Sequence, residues 1–168
     1  MIVLLAGLPG TGKSTLAREL ATRTAGRVIS KDEIRHAIFS PDEIEYSSQQ
    51  DDFCFQVMLS LASQLLQDQP QRFIFLDGRP FSRRYQIENA LTAAAALHQP
   101  ARILRLVCSE QTAKRRLGQM DEHPAENRDF ALYLEVKDRF EAITVPHTVI
   151  DTEQPLELCV QQALAALC

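Results

Sequence analysis

The sequence predicts an α/β fold in which helices cover both faces of one parallel β-sheet. Short apolar runs alternate along the chain with longer segments of helical periodicity. The first apolar run, IVLLA, passes into a turn that contains three glycines, and a helical segment follows it directly. With 168 residues and neither linker nor repeat, the chain is expected to form a single domain, 1–168.

Five apolar runs are predicted to be the strands. The first is continuously apolar, as expected for a strand that is buried on both faces of a parallel sheet. Each run is followed by at least one helical segment, so the strands should run in the same direction. The predicted strands are Ile2–Ala6, Arg27–Ser30, Arg72–Leu76, Arg102–Val107 and His147–Asp151.

Seven segments have apolar residues at helical spacing, and several of them are closed by a proline, which cannot continue a helix. In the longest segment, Phe53, Val57, Leu61 and Leu65 recur every four residues and are predicted to face the core. The predicted helices are Ser14–Thr24, Lys31–Phe39, Glu45–Gln69, Ser82–His98, Ser109–Gln119, Phe130–Ala142 and Pro155–Leu167.

The composition indicates which binding partners and which cellular compartment to expect. A net charge of -4 provides no basic surface field, so extended binding along nucleic acid is not expected. The four cysteines are widely spaced and have no CxxC pattern, which is typical of reduced thiols in a cytoplasmic protein. The apolar N-terminus is too short for a signal peptide, and no run is long enough to cross a membrane.

The segment GLPGTGKS fits the phosphate-binding pattern G-x-x-x-x-G-K-[ST] at every fixed position. Glycines let backbone N–H groups point at phosphate oxygens, and the next helix adds the positive end of its dipole. We expect Lys13 to bind the β- and γ-phosphates of ATP and Ser14 to ligate Mg²⁺. An ordinary glycine-rich turn is the alternative, but so many fixed positions rarely match by chance. The predicted nucleotide-binding residues are Gly7, Leu8, Pro9, Gly10, Thr11, Gly12, Lys13, Ser14 and Thr15.

Other features point to one class of nucleotide-binding protein. The guanine-reading sequence N-K-x-D is absent, which argues against a GTPase of the Ras type. A large ATPase motor would need a longer chain. A small phosphotransferase remains.

The second strand leads into a segment that suits acid–base chemistry. Ser30 and Glu33 fit a capping box, which leaves Asp32 without a capping role and on the same helix face as Arg35. The Asp32 carboxylate could accept a proton from a substrate hydroxyl, while Arg35 holds the substrate. Alternatively, Asp32 only favours the helix dipole and pairs with Arg35 on the surface.

The third strand is followed by a second candidate acid. Asp77 resembles a Walker B carboxylate, which orients Mg²⁺ or its water ligands. The alternative is that Asp77 merely opens a turn before Gly78. Of the three arginines that follow, Arg79 and Arg84 are predicted to bind the acceptor, and Arg83 belongs to the same cluster.

The motifs GLPGTGKST, SKDEIR and FLDGRPFSRR together resemble the P-loop kinases that include polynucleotide 5'-kinase, zeta toxins and chloramphenicol phosphotransferase. The resemblance runs from Ile2 to Asp151. It implies a P-loop NTPase fold with strand order 2-3-1-4-5. It also implies that Asp32 is the general base and that Arg35 binds the substrate.

The same resemblance implies a helical lid at about 109–129. One of its arginines, Arg116 or Arg128, would stabilise charge at the γ-phosphate. A second arginine is usual one turn after Arg116, where this chain has Gln119. The family also commonly borders the adenine with the loop that corresponds here to 151–155.

We therefore expect an ATP- and Mg²⁺-dependent kinase that phosphorylates a hydroxyl of a small-molecule or nucleoside-like acceptor. One alternative is a polynucleotide 5'-hydroxyl kinase, although polynucleotide kinases have a hydroxyl residue where this chain has Gly78. The other is a nucleotide-dependent binding or switch module with slow hydrolysis, which the incomplete lid would favour.

Overall fold

One parallel sheet runs through the computed structural model, which describes residues 1–119 and 129–168. Its strands are β1 (Ile2–Ala6), β2 (Arg27–Ser30), β3 (Ile74–Asp77), β4 (Ala101–Val107) and β5 (Thr148–Asp151). They are hydrogen-bonded in the order β2-β3-β1-β4-β5, and every pairing is parallel. The predicted fold class and strand order are confirmed.

Helices connect these strands on both sides of the sheet. Within the described ranges, none of them combines the length and the apolar character needed to cross a bilayer. A short 3-10 helix, Pro41–Glu43, was not predicted. The α-helices are α1 (Lys13–Thr24), α2 (Lys31–Ile38), α3 (Ser48–Asp68), α4 (Arg84–Ala96), α5 (Glu110–Leu117), α6 (Phe130–Asp138) and α7 (Leu156–Leu167).

The core has two halves that meet at β1, whose five residues are all fully buried. Because successive side chains of a strand point to opposite faces, Ile2, Leu4 and Ala6 pack against residues of α3 and α4, among them Met58 and Ile87. The alternate residues Val3 and Leu5 pack in the other half, with side chains of α1 and α7. Burial on both faces explains why the β1 sequence is continuously apolar.

The predicted core face of α3 is wrong for Phe53 and Leu61, whereas Leu65 packs against the core as predicted and Val57 is partly buried. Phe53 and Leu61 are 50% and 39% exposed, whereas Cys54, Met58 and Ala62 are fully buried. Both stripes repeat every four residues, so spacing alone does not separate them. Met58 and Ala62 belong to the core cluster, while the rings of Phe53 and Phe39 pack in a T-shaped pair outside it.

Several helix ends differ from the predicted ones because other hydrogen bonds compete. The Ser47 hydroxyl caps α3 by accepting from the Gln50 N–H (3.2 Å), so this helix begins later than predicted. The helix α6 ends at Asp138 instead of continuing to Ala142. Beyond its end the Glu141 N–H donates to the Ser82 carbonyl (2.8 Å). Of the predicted lid, residues 120–128 lie outside the described residues.

The buried face of α3 can be tested by a pair of truncations on neighbouring turns. Met58→Ala removes a fully buried side chain and should lower the free energy of unfolding by about 2–5 kcal/mol. Phe53→Ala removes a larger but half-exposed side chain and should cost clearly less. Urea denaturation of both variants measures this difference, and an equal or larger loss for Phe53→Ala would contradict the assignment of the core face.

Candidate active site

The phosphate-binding loop lies between β1 and α1 at the carboxyl end of the central strand. Gly7 has a φ of 143°, and a Cβ atom at this position would lie 2.4 Å from the Leu106 carbonyl oxygen. No other residue therefore fits at the start of the loop. The Thr11 hydroxyl donates to the Leu8 carbonyl (2.8 Å) and holds the turn closed.

Lys13 is buried at the first position of α1. Its Nζ atom donates to the carbonyls of Gly7 (2.8 Å) and Leu8 (2.7 Å), so the ammonium group is folded back over its own loop. A buried ammonium group must be hydrogen-bonded to offset the loss of water. The loop thus fixes the charge of Lys13 at its centre.

One side of the loop opens into a cavity of about 410 Å³, which we call the loop pocket. This volume lies within the usual range for small-molecule sites of about 300–1,000 Å³. The loop after β5 supplies part of its wall, as the predicted position of 151–155 near a bound base would require. The lining residues include Gly10, Gly12, Lys13, Ser14, Thr15, Arg116, Thr152 and Gln154.

Arg116 connects the two walls of the loop pocket. Its guanidinium donates to the Thr152 carbonyl (2.7 Å), to the Thr152 hydroxyl (3.0 Å) and, more weakly, to the Gly10 carbonyl (3.4 Å). The start of α5 is tied to the same loop, since Ser109 and Thr112 both donate to the Glu153 carboxylate. These two hydrogen bonds lower the pKa of Glu153.

Asp77 ends β3 next to the phosphate-binding loop. The turn that follows touches this loop directly, because the Gly7 N–H donates to the Pro80 carbonyl (3.0 Å). The Asp77 Oδ1 atom is buried and accepts no hydrogen bond from the residues that the structure describes. A buried carboxylate oxygen without a donor fits a cation or a cation-bound water, as the Walker B interpretation requires.

Gly78 brings the end of β3 against the start of α2. Its φ is +86°, and a Cβ atom would lie 3.0 Å from the Lys31 backbone nitrogen and 3.1 Å from its Cβ. A side chain is therefore disfavoured both by the backbone conformation and by the neighbouring backbone. This contact gives a physical reason for glycine where polynucleotide kinases have a hydroxyl residue.

Lys31, Asp32, Arg35 and Asp51 form a buried ionic cluster, which we call the charge tetrad. Lys31 donates to Asp51 (2.7 Å), and Arg35 donates to Asp32 (3.1 Å) and to Asp51. Burial lowers the pKa of Lys31, although the Asp51 carboxylate opposes the shift. The alternative of an Asp32–Arg35 pair on the surface is wrong, because both side chains are buried.

Two neighbours complete the surroundings of Arg35. Gln50 accepts from its Nε atom (3.1 Å), and the Tyr46 ring lies 5.1 Å from its guanidinium carbon. Half of the predicted capping box of α2 is present, since the Ser30 hydroxyl accepts from the Glu33 N–H (3.4 Å). The Asp32 side chain does not cap the helix and pairs with Arg35 instead.

The tetrad borders a smaller cavity of about 90 Å³, the tetrad cleft. Lys13 lines both this cleft and the loop pocket, so its side chain lies between them. The lining residues are Pro9, Lys13, Lys31, Asp32, Tyr46, Asp51, Gly78, Pro80, Leu132, Val136 and Arg139.

The other predicted arginines lie elsewhere. Arg79 is buried, donates to Asp52 and lies 4.9 Å from the Phe55 ring centre. Arg84 is exposed at the start of α4, where its backbone N–H donates to Glu141 (2.6 Å). Neither is among the residues that line the tetrad cleft. Arg128 lies outside the described residues.

Sequence reasoning gave no role to Lys31 or Asp51, and it included Thr152 only as part of the loop 151–155. Asp51 lies in the first turn of α3, where an acidic residue is usually explained by the helix dipole. Lys31 directly precedes the candidate base Asp32. The sequence does not show that the Lys31 side chain is buried. The adjacent acids Asp51 and Asp52 were the only available signal.

Comparison with known proteins assigns the family. Residues 2–143 match the family model described as an AAA domain, and the chain belongs to this family. No curated protein sequence matches the chain.

Solved structures of kinases share the P-loop NTPase fold of the chain. A gluconokinase from Sinorhizobium meliloti 1021 has a TM-score of 0.70 at 18% identity, with 98% of this chain and 90% of that chain covered. A sugar kinase from Janibacter sp. HTCC2649 has a TM-score of 0.72 at 19% identity, with 99% and 93% covered. The APS kinase of Mycobacterium tuberculosis, solved with AMPPNP and APS, has a TM-score of 0.75 at 14% identity, with 99% and 96% covered. None of these three is a polynucleotide kinase or a zeta toxin, so that finer resemblance stays a prediction.

The tight contact at Gly78 can be tested with a matched pair of glycine substitutions. Gly78→Ala forces a positive φ on alanine and presses its Cβ against Lys31, so the free energy of unfolding should fall by about 1–3 kcal/mol. Gly118 has an ordinary φ of -72° and room for a methyl group, so Gly118→Ala should leave stability unchanged or slightly raised. Chemical denaturation of both variants measures the difference, and a Gly78→Ala variant as stable as Gly118→Ala would refute the close approach.

Proposed function

We propose that the protein is a P-loop kinase, which transfers the γ-phosphoryl group of ATP to a hydroxyl of a small-molecule or nucleoside-like acceptor. The observation that carries this proposal is that Lys13 lines both the loop pocket and the tetrad cleft. A γ-phosphoryl group of a nucleotide in the loop pocket, bound by Lys13, would face a hydroxyl bound beside Asp32 in the tetrad cleft. Four free cysteines in the structure are consistent with a cytoplasmic protein.

The nucleotide would occupy the loop pocket. Backbone N–H groups of the loop from Gly10 to Thr15 would bind its phosphates, since Pro9 has no N–H and that of Gly7 donates to the Pro80 carbonyl. Lys13 would move from loop carbonyls to the β- and γ-phosphates. Arg116 and Thr152 both line this pocket, so both would contact the bound nucleotide.

Ser14 and Asp77 would hold Mg²⁺. Their oxygens are ligands that Mg²⁺ accepts, and the buried Oδ1 of Asp77 has no competing donor among the described residues. When bound, the ion would supply positive charge that neutralises the phosphates.

Asp32 would act as the general base. Its carboxylate takes the proton of the acceptor hydroxyl, the hydroxyl oxygen forms the new bond to the γ-phosphorus, and the bond to the bridging oxygen of ADP breaks. Arg35 is fully buried and donates to Asp32 (3.1 Å), which favours a role in holding this carboxylate in place. Direct contact of Arg35 with the acceptor stays a prediction.

The remaining arginines have less support. Either Arg116 or Arg128 would stabilise charge on the γ-phosphoryl group, as predicted from the resemblance. The acceptor contacts predicted for Arg79 and Arg84 also stay predictions. The polynucleotide 5'-hydroxyl kinase and the slow switch are weaker candidates, since the small tetrad cleft and the position of Lys13 favour transfer to a small acceptor.

The proposal predicts that Asp32→Asn separates transfer from nucleotide binding. Acceptor-dependent kcat should fall by about 10²–10⁴-fold, because the general base is lost, while ATP affinity stays close to that of the unchanged protein. Coupled ADP release over a panel of sugars, polyols and nucleosides, with mass spectrometry of the phosphorylated product, measures the rate.

Asp52→Asn is the matched control, because this carboxylate pairs with Arg79 and does not line the tetrad cleft. It should retain acceptor-dependent turnover. Full acceptor-dependent turnover in the Asp32→Asn variant would contradict the assignment of Asp32 as the general base. The kinase proposal itself would be overturned if no acceptor raised the rate of ADP release by the unchanged protein above the rate of ATP hydrolysis without an acceptor.

A further inference from the structure

We propose that the acceptor is an uncharged, hydroxyl-rich small molecule and that Asp51 excludes anionic acceptors from the tetrad cleft. This inference deepens the proposed function and rests on it. It concerns the charge of the substrate, which neither the family nor the matched structures assign to this chain.

The charges of the tetrad balance one another. Lys31 is neutralised by Asp51 (2.7 Å), and Arg35 by Asp32 (3.1 Å) and Asp51. Two cations therefore alternate with two carboxylates in one connected network. An anionic acceptor would find no unneutralised cation in this network and would have to break a buried ion pair to obtain one, which is costly.

Three members of the tetrad, Lys31, Asp32 and Asp51, line the cleft, and they differ in accessibility. The Asp51 side chain is 25% exposed, whereas those of Lys31, Asp32 and Arg35 are 7%, 4% and 0% exposed. The most accessible charge of the tetrad is thus a carboxylate. An acceptor with its own carboxylate or phosphate would meet like charge there, while a hydroxyl could donate to the Asp51 oxygens.

The other cations that line the cleft are Lys13 and Arg139. Arg139 forms an exposed pair with Glu135 (2.7 Å), so water already solvates its charge and an anion would gain little from it. Lys13 is bound to loop carbonyls and, in the proposed function, serves the ATP phosphates. Leu132 and Val136 add apolar surface, which suits the C–H faces of a sugar or a nucleoside.

The test uses acceptor pairs that share a carbon skeleton, one member neutral and the other anionic. Gluconate carries a carboxylate where glucitol carries a CH2OH group. Adenosine 5'-monophosphate carries a phosphate on the 5'-oxygen of adenosine, so only transfer to the ribose 2'- and 3'-hydroxyls is compared for that pair. In whichever pair the protein phosphorylates, kcat/KM for phosphoryl transfer should be at least about tenfold higher for the neutral member than for the anionic one. A higher kcat/KM for gluconate or for the monophosphate overturns the inference and leaves the kinase proposal intact.

Asp51→Asn removes the most accessible carboxylate of the tetrad and leaves one of its cations without a counter-charge. It should shift the neutral-to-anionic ratio toward the anion by about tenfold. Asp52→Asn makes the same change one residue along α3, where the carboxylate pairs with Arg79, and should leave the ratio unchanged. Equal ratios in Asp51→Asn and Asp52→Asn would overturn the role of Asp51.

The measurement on the unchanged protein needs no variant, so it decides the charge preference even if Asp51→Asn does not fold. Absence of transfer to every member of the panel, above the rate of ATP hydrolysis by water, would overturn the proposed function and this inference with it.

Discussion

The site depends on the hydrogen bonds that hold the buried ammonium group of Lys13. Two carbonyls of the phosphate-binding loop accept from it, because a charge removed from water needs such partners. The loop can provide these carbonyls only because the chain turns sharply at Gly7, directly after β1. Gly7 lies so close to the Leu106 carbonyl of β4 that no side chain fits there. Because β1 is the central strand of the sheet and is buried on both faces, the loop that follows it holds the Lys13 ammonium group at the middle of the carboxyl edge of the sheet.

The neighbouring strands bring the remaining chemistry to the same edge. Ser30 and Asp77 are paired residues at the ends of β2 and β3, so the start of α2 and the candidate Mg²⁺ ligand are adjacent by register. Gly78 then allows the two connections to touch. The ionic cluster beside them contributes geometry more than stability, because the desolvation of buried charges offsets much of their attraction. Such a cluster holds Asp32 in one orientation.

Local sequence was sufficient for the phosphate-binding loop, the β1 strand and the cap of α2, because each depends on residues a few positions apart. The strand order came from the resemblance and is confirmed. The contacts of Asp51 with Lys31 and Arg35 could not be predicted, since they depend on how α3 packs against α2. The same is true of the core face of α3, where two apolar stripes have equal spacing and only packing selects between Met58 and Phe53.

The central claim is that Lys13 holds the γ-phosphate where it faces Asp32. The most direct measurement is a crystal structure with a non-hydrolysable ATP analogue and Mg²⁺. We predict that a γ-phosphate oxygen lies about 3 Å from the Lys13 Nζ atom, with the phosphorus on the side of the loop that faces the tetrad cleft. A γ-phosphate bound on the opposite side of the loop, with Lys13 still donating to the carbonyls of Gly7 and Leu8, would contradict the claim.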